Sequence, residues 1–425
     1  MTELRPTLNR RFPALASRDF SIFWTGHLLS LIGTSMQNTA QPLLAYRLSG
    51  RPFDLGLIGF ALALPTFFLA LPSGVWIEHL DKRRLLIITQ TAMMLDALIL
   101  AWLALSGVIQ IWHIALLSLV LGVTITFEIT ARQSMLIELV GREALPNAIA
   151  LQTTAFNLSR VIGPALVAPF LLIFPSRGEG WIFLLNAVSF LAIIISLFFV
   201  KTRFGVPIQP RTQSIIIELR QGMTYITRSL SVGTLVLLAG MLGLFAFPVL
   251  QQLPVVSTDL LGRLGDTRAV VDARNSWLYS AQGAGALIAS FMLVMNNSSR
   301  LHNLRLILGE AAFILGMLIL PASRSLFPAA ALVALMGWGG VTQLTTMNTL
   351  LQLQVPDGLR GRVFSVYLWA FQGVAPFGSL LIGWMSQSWG LGATTSICGL
   401  VCLVGMGGIQ LFRLGRIHKK LPANP

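Results

Sequence analysis

The sequence predicts an all-α integral membrane protein: twelve transmembrane helices in two six-helix, pseudo-symmetric halves. Three observations predict it: the composition, twelve apolar stretches of bilayer length, and a second half that repeats the first. Of 425 residues, 55% are hydrophobic and 11% are charged, with a mean hydropathy of +0.75. A soluble domain carries about 25% charged residues. In water this chain would expose apolar patches and aggregate; lipid as the solvent removes the difficulty. The apolar stretches recur along the whole chain and leave no room for a soluble domain.

A helical span needs about 20 mostly apolar residues. Stretches of that kind fall at 20–47, 53–77, 84–106, 110–133, 146–172, 181–200, 232–258, 275–295, 304–322, 326–350, 362–386 and 392–412. They are too long for barrel strands and lack the alternation of barrels. The chain therefore divides into an N-terminal tail (1–19), a first bundle (20–200), a linker (201–231), a second bundle (232–412) and a C-terminal tail (413–425).

Orientation follows from the basic residues in the loops. With the N-terminus inside, cytoplasmic segments hold 22 of the 30 Lys and Arg, outside loops hold seven, and Arg160 lies within a span. Both termini are thus expected in the cytoplasm of a bacterial cell, with the chain in its inner membrane. The linker carries Pro207 and Pro210, then an amphipathic stretch from Ile215 to Tyr225. A shift of 215 residues lays Val140 on Val355, Ala155 on Ala370, Phe156 on Phe371 and Gly163 on Gly378. Parallel six-helix repeats are a transporter architecture, with substrate held between them near the midplane.

Several function classes are disfavoured. The net charge of +14 is dispersed in short clusters between apolar runs, so it does not form a nucleic-acid surface. Cys398 and Cys402, four residues apart in the last apolar run, read as small packing residues rather than a redox pair or metal site. The five histidines lack metal-ligand spacing. There is no phosphate-binding loop and no paired catalytic constellation, so the sequence implies neither an enzyme nor a cofactor.

The loop after the second stretch has Gly74, then Glu78 four residues on, then Asp81 and the basic run Lys82, Arg83 and Arg84. This resembles the motif of the major facilitator superfamily between helices two and three, with Glu78 where Asp is usual. Gly74 allows close helix packing, and Glu78 stands four residues before Lys82, the favourable order for a helical ion pair. The resemblance implies a gating motif that latches the halves at the cytoplasmic face. Trp24 to Gly26, Ala131 to Gln133, Leu139–Val140, Leu145–Pro146, Glu218 to Gly222 and Gly361 to Ser365 together resemble the branch of macrolide-efflux and enterobactin-exporter proteins. In helix five, Gly163–Pro164 resembles the Gly-Pro element of exporters in this superfamily, although Ala168 and Pro169 replace its second glycine cluster. Such a pair kinks a helix and lets a neighbour approach.

Helix one carries a polar stripe: His27, Ser30, Thr34, Gln37, Asn38 and Gln41 fall within roughly 100° of arc at 100° per residue. Lipid would leave these groups unsatisfied, so the stripe faces protein or a wet cavity. The resemblance agrees, since helices one, four, seven and ten line the cavity in this superfamily. The second half answers with neutral polar groups, Gln343 and Asn348. Ionisable residues within spans are functional hypotheses. Asp96 and Arg160 lie at similar depth, which allows a pair although helix three is peripheral in this superfamily; the alternative is that Arg160 holds an anionic substrate group or another carboxylate. Glu128 and Arg132 are spaced for an intrahelical pair, and Glu310 is placed to reach the headgroups. Glu128, Asp96 and His27 are the candidates to carry protons.

The expectation is a secondary transporter, monomeric, that exports a small, largely apolar molecule such as a drug or siderophore, coupled to protons. An importer or lysophospholipid flippase of the same fold is the alternative, and a non-transporting membrane sensor or scaffold is the rival from another class.

Overall fold

The structure is a computed structural model, and it describes residues 13–78, 80–174, 177–202, 215–295 and 301–420. Helices fill it; no strand occurs among the described residues. In chain order they are α1 (Arg18–Ser49), α2 (Pro52–Glu78), α3 (Lys82–Ser106), α4 (111–140), α5 (142–173) and α6 (Gly178–Phe199), then a linker helix (Ile215–Arg228). After it come α7 (Leu230–Leu260), α8 (Arg268–Met295), α9 (His302–Ala322), α10 (Leu326–Gln354), α11 (Leu359–Trp389) and α12 (Leu391–Lys420). Each of the twelve stretches read from the sequence falls on one of these helices. Among the described residues, nine elements, with 111–173 taken as one, are long and apolar enough to cross a membrane. α1 and α8 have the length, and their polar side chains keep them below that composition.

Local chemistry explains the turns. α3 begins at Asp81, whose carboxylate accepts from the backbone N–H of Arg83 and Arg84 and so satisfies two orphan donors of the first turn. It ends at Gly107, left-handed at φ 79°, which only glycine adopts without strain. α4 and α5 would be one 63-residue helix but for Gly141, whose φ of 72° and ψ of 172° break it. In α7, Pro248 and Pro254 remove backbone donors, and the helix passes through π-type and 3₁₀ turns over 242–260. α11 carries a π turn at Trp369–Gly373 just before Pro376.

The chain packs as two units. The first gathers the described residues of Met1–Leu48, Phe68–Gln209 and Thr267–Ser280; the second gathers those of Ser49–Phe67, Pro210–Asp266 and Ala281–Pro425. This differs from the sequence division at 200 and 232, because the start of α8 packs with the first unit and the first part of α2 with the second. Local contacts explain both exchanges. Arg47 and Glu179 hold Arg268 and Asp272 of α8. Gly56 of α2 lets the backbone of Ser379 and Gly383 of α11 come so close that a Cβ would collide.

The first unit has a core of Phe20, Phe23, Leu86, Met135, Phe190 and Ile193, from α1, α3, α4 and α6. In each unit the fifth helix of its six-helix set rests a glycine on the first: Gly163 of α5 against Ser35 of α1, and Gly378 of α11 against Leu244 of α7. The repeat seen in the sequence thus reappears as one packing device used twice.

Candidate translocation site

The polar stripe of α1 is largely engaged with neighbouring helices. Asn186 of α6 donates to Gln37 at 2.7 Å, Gln37 donates to Gln41 at 3.1 Å, and Gln41 donates to Ser118 of α4 at 3.1 Å. This relay ties α6, α1 and α4 together. Thr34 donates to Asn186 at 3.5 Å, Ser30 is buried and Asn38 is exposed. His27 is also buried; it stacks on Phe23, and its Nδ1 has no partner.

His27 lines a cavity of 560 Å³ within the first unit, walled by α1, α4 and α5. Leu31, Leu136, Ile149 and Phe156 make it mostly apolar, and His27, Arg132, Gln133 and Gln152 supply the polar groups. Arg132 is held on two sides. Its Nε donates to Glu128 at 2.8 Å, one helical turn earlier, and its Nη1 donates to Gln152 of α5 at 3.0 Å. The guanidinium is therefore pre-positioned at the cavity wall with its charge already matched by a carboxylate. A mostly apolar pocket with a few fixed polar groups is what a small-molecule site requires.

Other predicted residues are not brought there. Asp96 and Arg160 do not pair. Both oxygens of Asp96 are buried without a partner, and Arg160 lies over the ring of Phe156, 5.8 Å from its centroid. Similar depth in the sequence placed them together, but α3 packs most extensively on α6. Glu310 does not reach the headgroups. It is buried, and Gln410 of α12 donates to it at 2.8 Å. Gln343 is fully buried and donates to the Gly309 carbonyl of α9 at 3.0 Å; Asn348 accepts from Gln352 at 2.6 Å. Neither lines the cavity. At Gly163–Pro164 the backbone keeps helical dihedrals, and the interruption falls at Gly141 instead. The glycine still does the work of close approach: an added Cβ would overlap that of Ser35 and lie 3.0 Å from the Met36 nitrogen.

At the end of the bundle that carries residue 18, the loop motif takes an unexpected form. The surroundings of Gly74 and the side chain of Glu78 lie outside the described residues. Lys82 cannot be a helical partner of Glu78, because α2 ends at Glu78 and Asp81 caps a new helix. Lys82 instead pairs with Glu138 near the end of α4, both side chains nearly buried. Arg83 donates to the Phe198 carbonyl at the end of α6 at 2.8 Å, and Arg84 pairs with Asp81 at 3.5 Å. Asp19 also receives Lys201 and Thr202, at 2.7 to 3.0 Å. Burial raises its pKa, but the bonds from Thr202 and Lys201 outweigh this and hold it below the ordinary aspartate value.

At the opposite end lies a cluster that sequence reasoning missed. Arg47, ending α1, bridges Glu179 of α6 and Asp272 of α8. Arg268 meets Glu179 at 2.7 Å and Asp272 at 3.9 Å. Both carboxylates are almost fully buried. Asn275, one turn on, donates to the Thr39 carbonyl of α1 at 3.3 Å. Each residue alone reads as an anchor at a membrane surface; only the fold brings residues 47, 179, 268 and 272 to one place.

The transmembrane secretion effector family matches residues 10–423 of the chain. The chain belongs to that family of the major facilitator superfamily. Among curated relatives, the multidrug efflux pump Tap of Mycolicibacterium fortuitum is 23% identical over 405 residues, covering 90% of this chain and 93% of that one. The enterobactin exporter EntS of Salmonella typhi is 23% identical over 407 residues, covering 94% and 93%. The Staphyloferrin A transporter of Staphylococcus aureus is 23% identical over 356 residues, covering 82% and 85%. Among solved structures, the nucleoside transporter NupG superposes with a TM-score of 0.70 at 11% identity, over 93% of this chain and 99% of that one. A bacterial homologue of the lysosomal transporter Spinster, inward-facing, superposes at 0.70 with 13% identity, over 96% and 99%. The fold is that of a major facilitator transporter. The chain is a multi-pass membrane protein that moves small molecules, and it is not an enzyme.

Proposed function

We propose that this transporter exports a small, largely apolar molecule across the bacterial inner membrane, with both termini in the cytoplasm, driven by proton entry. The single observation that carries the reading is the cavity of α1, α4 and α5, with apolar walls and a pre-positioned Arg132. Family membership supports it, and so do relatives whose names describe efflux and siderophore export. The basic residues crowded at the end that carries residue 18 support the orientation.

Glu128 is the first candidate for coupling. It is the counter-charge of the arginine at the cavity wall, so a proton on Glu128 frees Arg132 to take an anionic group of the substrate. Asp96, buried without a partner, is the second, and His27 the third. The Gly163 contact between α5 and α1 transmits movement of one helix to the other. The cluster of Arg47, Glu179, Arg268 and Asp272 latches the outer end while the cavity is open to the cytoplasm.

Accumulation in cells expressing the transporter tests this. Collapse of the proton gradient raises accumulation of an exported compound in wild type. Glu128→Gln removes that response, whereas Glu310→Gln, outside the cavity, retains it. A compound whose accumulation ignores the gradient contradicts the coupling.

A further inference from the structure

A second cavity, of 500 Å³, lies wholly within the second unit, under the linker helix. Its lining includes Met223 and Ile226 of the linker helix, Gly233 and Leu237 of α7, Trp369 of α11 and Phe412 of α12. It is almost entirely apolar, and it opens sideways: Leu237 is 60% exposed and Phe412 is 48% exposed. Leu237 sits two turns into the apolar run of α7. At that depth the neighbouring solvent is hydrocarbon, so neither water nor a soluble partner fills the groove. Gly233 keeps the floor open, since a Cβ there would press on the Ile226 carbonyl at 3.0 Å.

The rim is basic. Arg228 stands between Thr227 and Leu230, which line the groove, and Arg220 is one turn before Met223; both are exposed. Arg413 follows Phe412 and is one turn beyond Ile409, the other α12 residue of the lining, so it stands at the end of that wall. It is 6% exposed, yet its Nε and Nη1 have no hydrogen-bond partner. Glu310, engaged by Gln410, acts on Arg413 electrostatically but leaves the arginine's Nε and Nη1 without a hydrogen bond. A buried guanidinium with two unused donors is expensive, and an anion is the partner that relieves it. Basic pockets beside apolar grooves at the cytoplasmic end of helices suit anionic lipid headgroups.

We propose that this groove binds an anionic phospholipid, one acyl chain lying against Trp369 and Leu237 and the phosphate meeting Arg413 and Arg228. The leaflet, though not the binding, rests on the orientation proposed above: it is the cytoplasmic one. A lipid so placed fastens the linker helix to α7, α11 and α12, where Arg362 of α11 already bonds Gln221 and Gly222 already packs on the Arg362 carbonyl.

The test uses the full chain in phosphatidylcholine nanodiscs doped with phosphatidylglycerol brominated in mid-chain. Trp369 lies about 15 Å along α11 from Leu359, at the depth of those bromines. Its contribution to fluorescence quenching is the difference between wild type and Trp369→Phe. At a low mole fraction, brominated phosphatidylglycerol is expected to quench that component and brominated phosphatidylcholine is not. The preference is expected to fall about fivefold on losing each arginine, in Arg228→Gln and in Arg413→Gln. Arg228 is exposed, so its variant answers even if Arg413→Gln misfolds. Equal quenching by the two lipids reduces the groove to ordinary lipid contact and overturns the proposal, as does no quenching, or a preference unchanged in Arg228→Gln. None of these readouts depends on transport or its direction.

Discussion

Replacing Arg47 with methionine removes the guanidinium that serves two carboxylates whose side chains retain only 2% and 4% of their surface. Glu179 keeps Arg268 at 2.7 Å, but Asp272 is left with Arg268 Nε at 3.9 Å. Breaking a buried pair by removing one partner costs about 3–5 kcal/mol. Arg47 and Arg268 are 28% and 43% exposed, so water screens part of that, and the lower end, about 3 kcal/mol, applies. At roughly 1.4 kcal/mol per decade this moves the balance between a held and a released start of α8 by about a hundredfold. The assay is double electron–electron resonance between spin labels at Trp181 on α6 and Val270 on α8, both exposed, with Cys398 and Cys402 changed to alanine. Wild type is expected to give one short distance. Arg47→Met adds a longer population, and Arg47→Lys, which keeps the charge but not the two-pronged contact, falls between. A distribution for Arg47→Met that superimposes on wild type refutes the latch.

Gly163→Ala inserts a methyl into the Ser35 contact and is expected to cost about 1–3 kcal/mol, read as a lower thermal midpoint in detergent, whereas Gly408→Ala, in open space on α12, leaves it unchanged. Lys82→Gln leaves Glu138 buried without its cation and is expected to cost about 3 kcal/mol. The double variant with Glu138→Gln should recover most of it, and a double-mutant cycle with no coupling energy contradicts the pair. Asp19 titrates below its ordinary value because Thr202 and Lys201 hold its charged form against burial. Its contribution is therefore full above about pH 4 and is lost as pH falls through the depressed value. Protease access at Lys201 should rise on acidification below about pH 4 in wild type, and should already be high at neutral pH in Asp19→Ala.

What the sequence revealed depended on whether a feature is local. Helix existence was legible because length and apolar content are local, and so was the Glu128–Arg132 pair, set by one turn of one helix. The half repeat was visible in four aligned positions, of which Gly163 and Gly378 proved to share a packing role. Long-range pairing was not legible. Lys82 had a suitable acid four residues before it, but the chain breaks between them and Glu138, 56 residues away, takes its place. Glu179 sits in the first turn of α6, where a carboxylate is an ordinary favourable partner of the dipole, and Asp272 lies one turn into α8, so nothing in the sequence marked them as one cluster. Asp96 and Arg160 matched in depth, yet Asp96 is left without a partner and Arg160 lies over the Phe156 ring. Glu310 reads as a headgroup contact in the sequence, because its partner Gln410 lies a hundred residues on. The stripe of α1 announced a polar environment correctly, but not that Asn186 and Ser118 would use up most of its hydrogen bonds and leave His27 at the cavity.

Transport in oriented membranes tests the central claim most directly. Respiring inside-out vesicles are incubated with a mixture of amphipathic dyes and host-cell metabolites, and uptake is read by mass spectrometry. Proton-driven export through the α1–α4–α5 cavity predicts that at least one compound accumulates in vesicles carrying the wild-type chain, that a protonophore abolishes this, and that Arg132→Gln does the same. Accumulation confined to right-side-out vesicles, or indifferent to both the protonophore and Arg132→Gln, contradicts it.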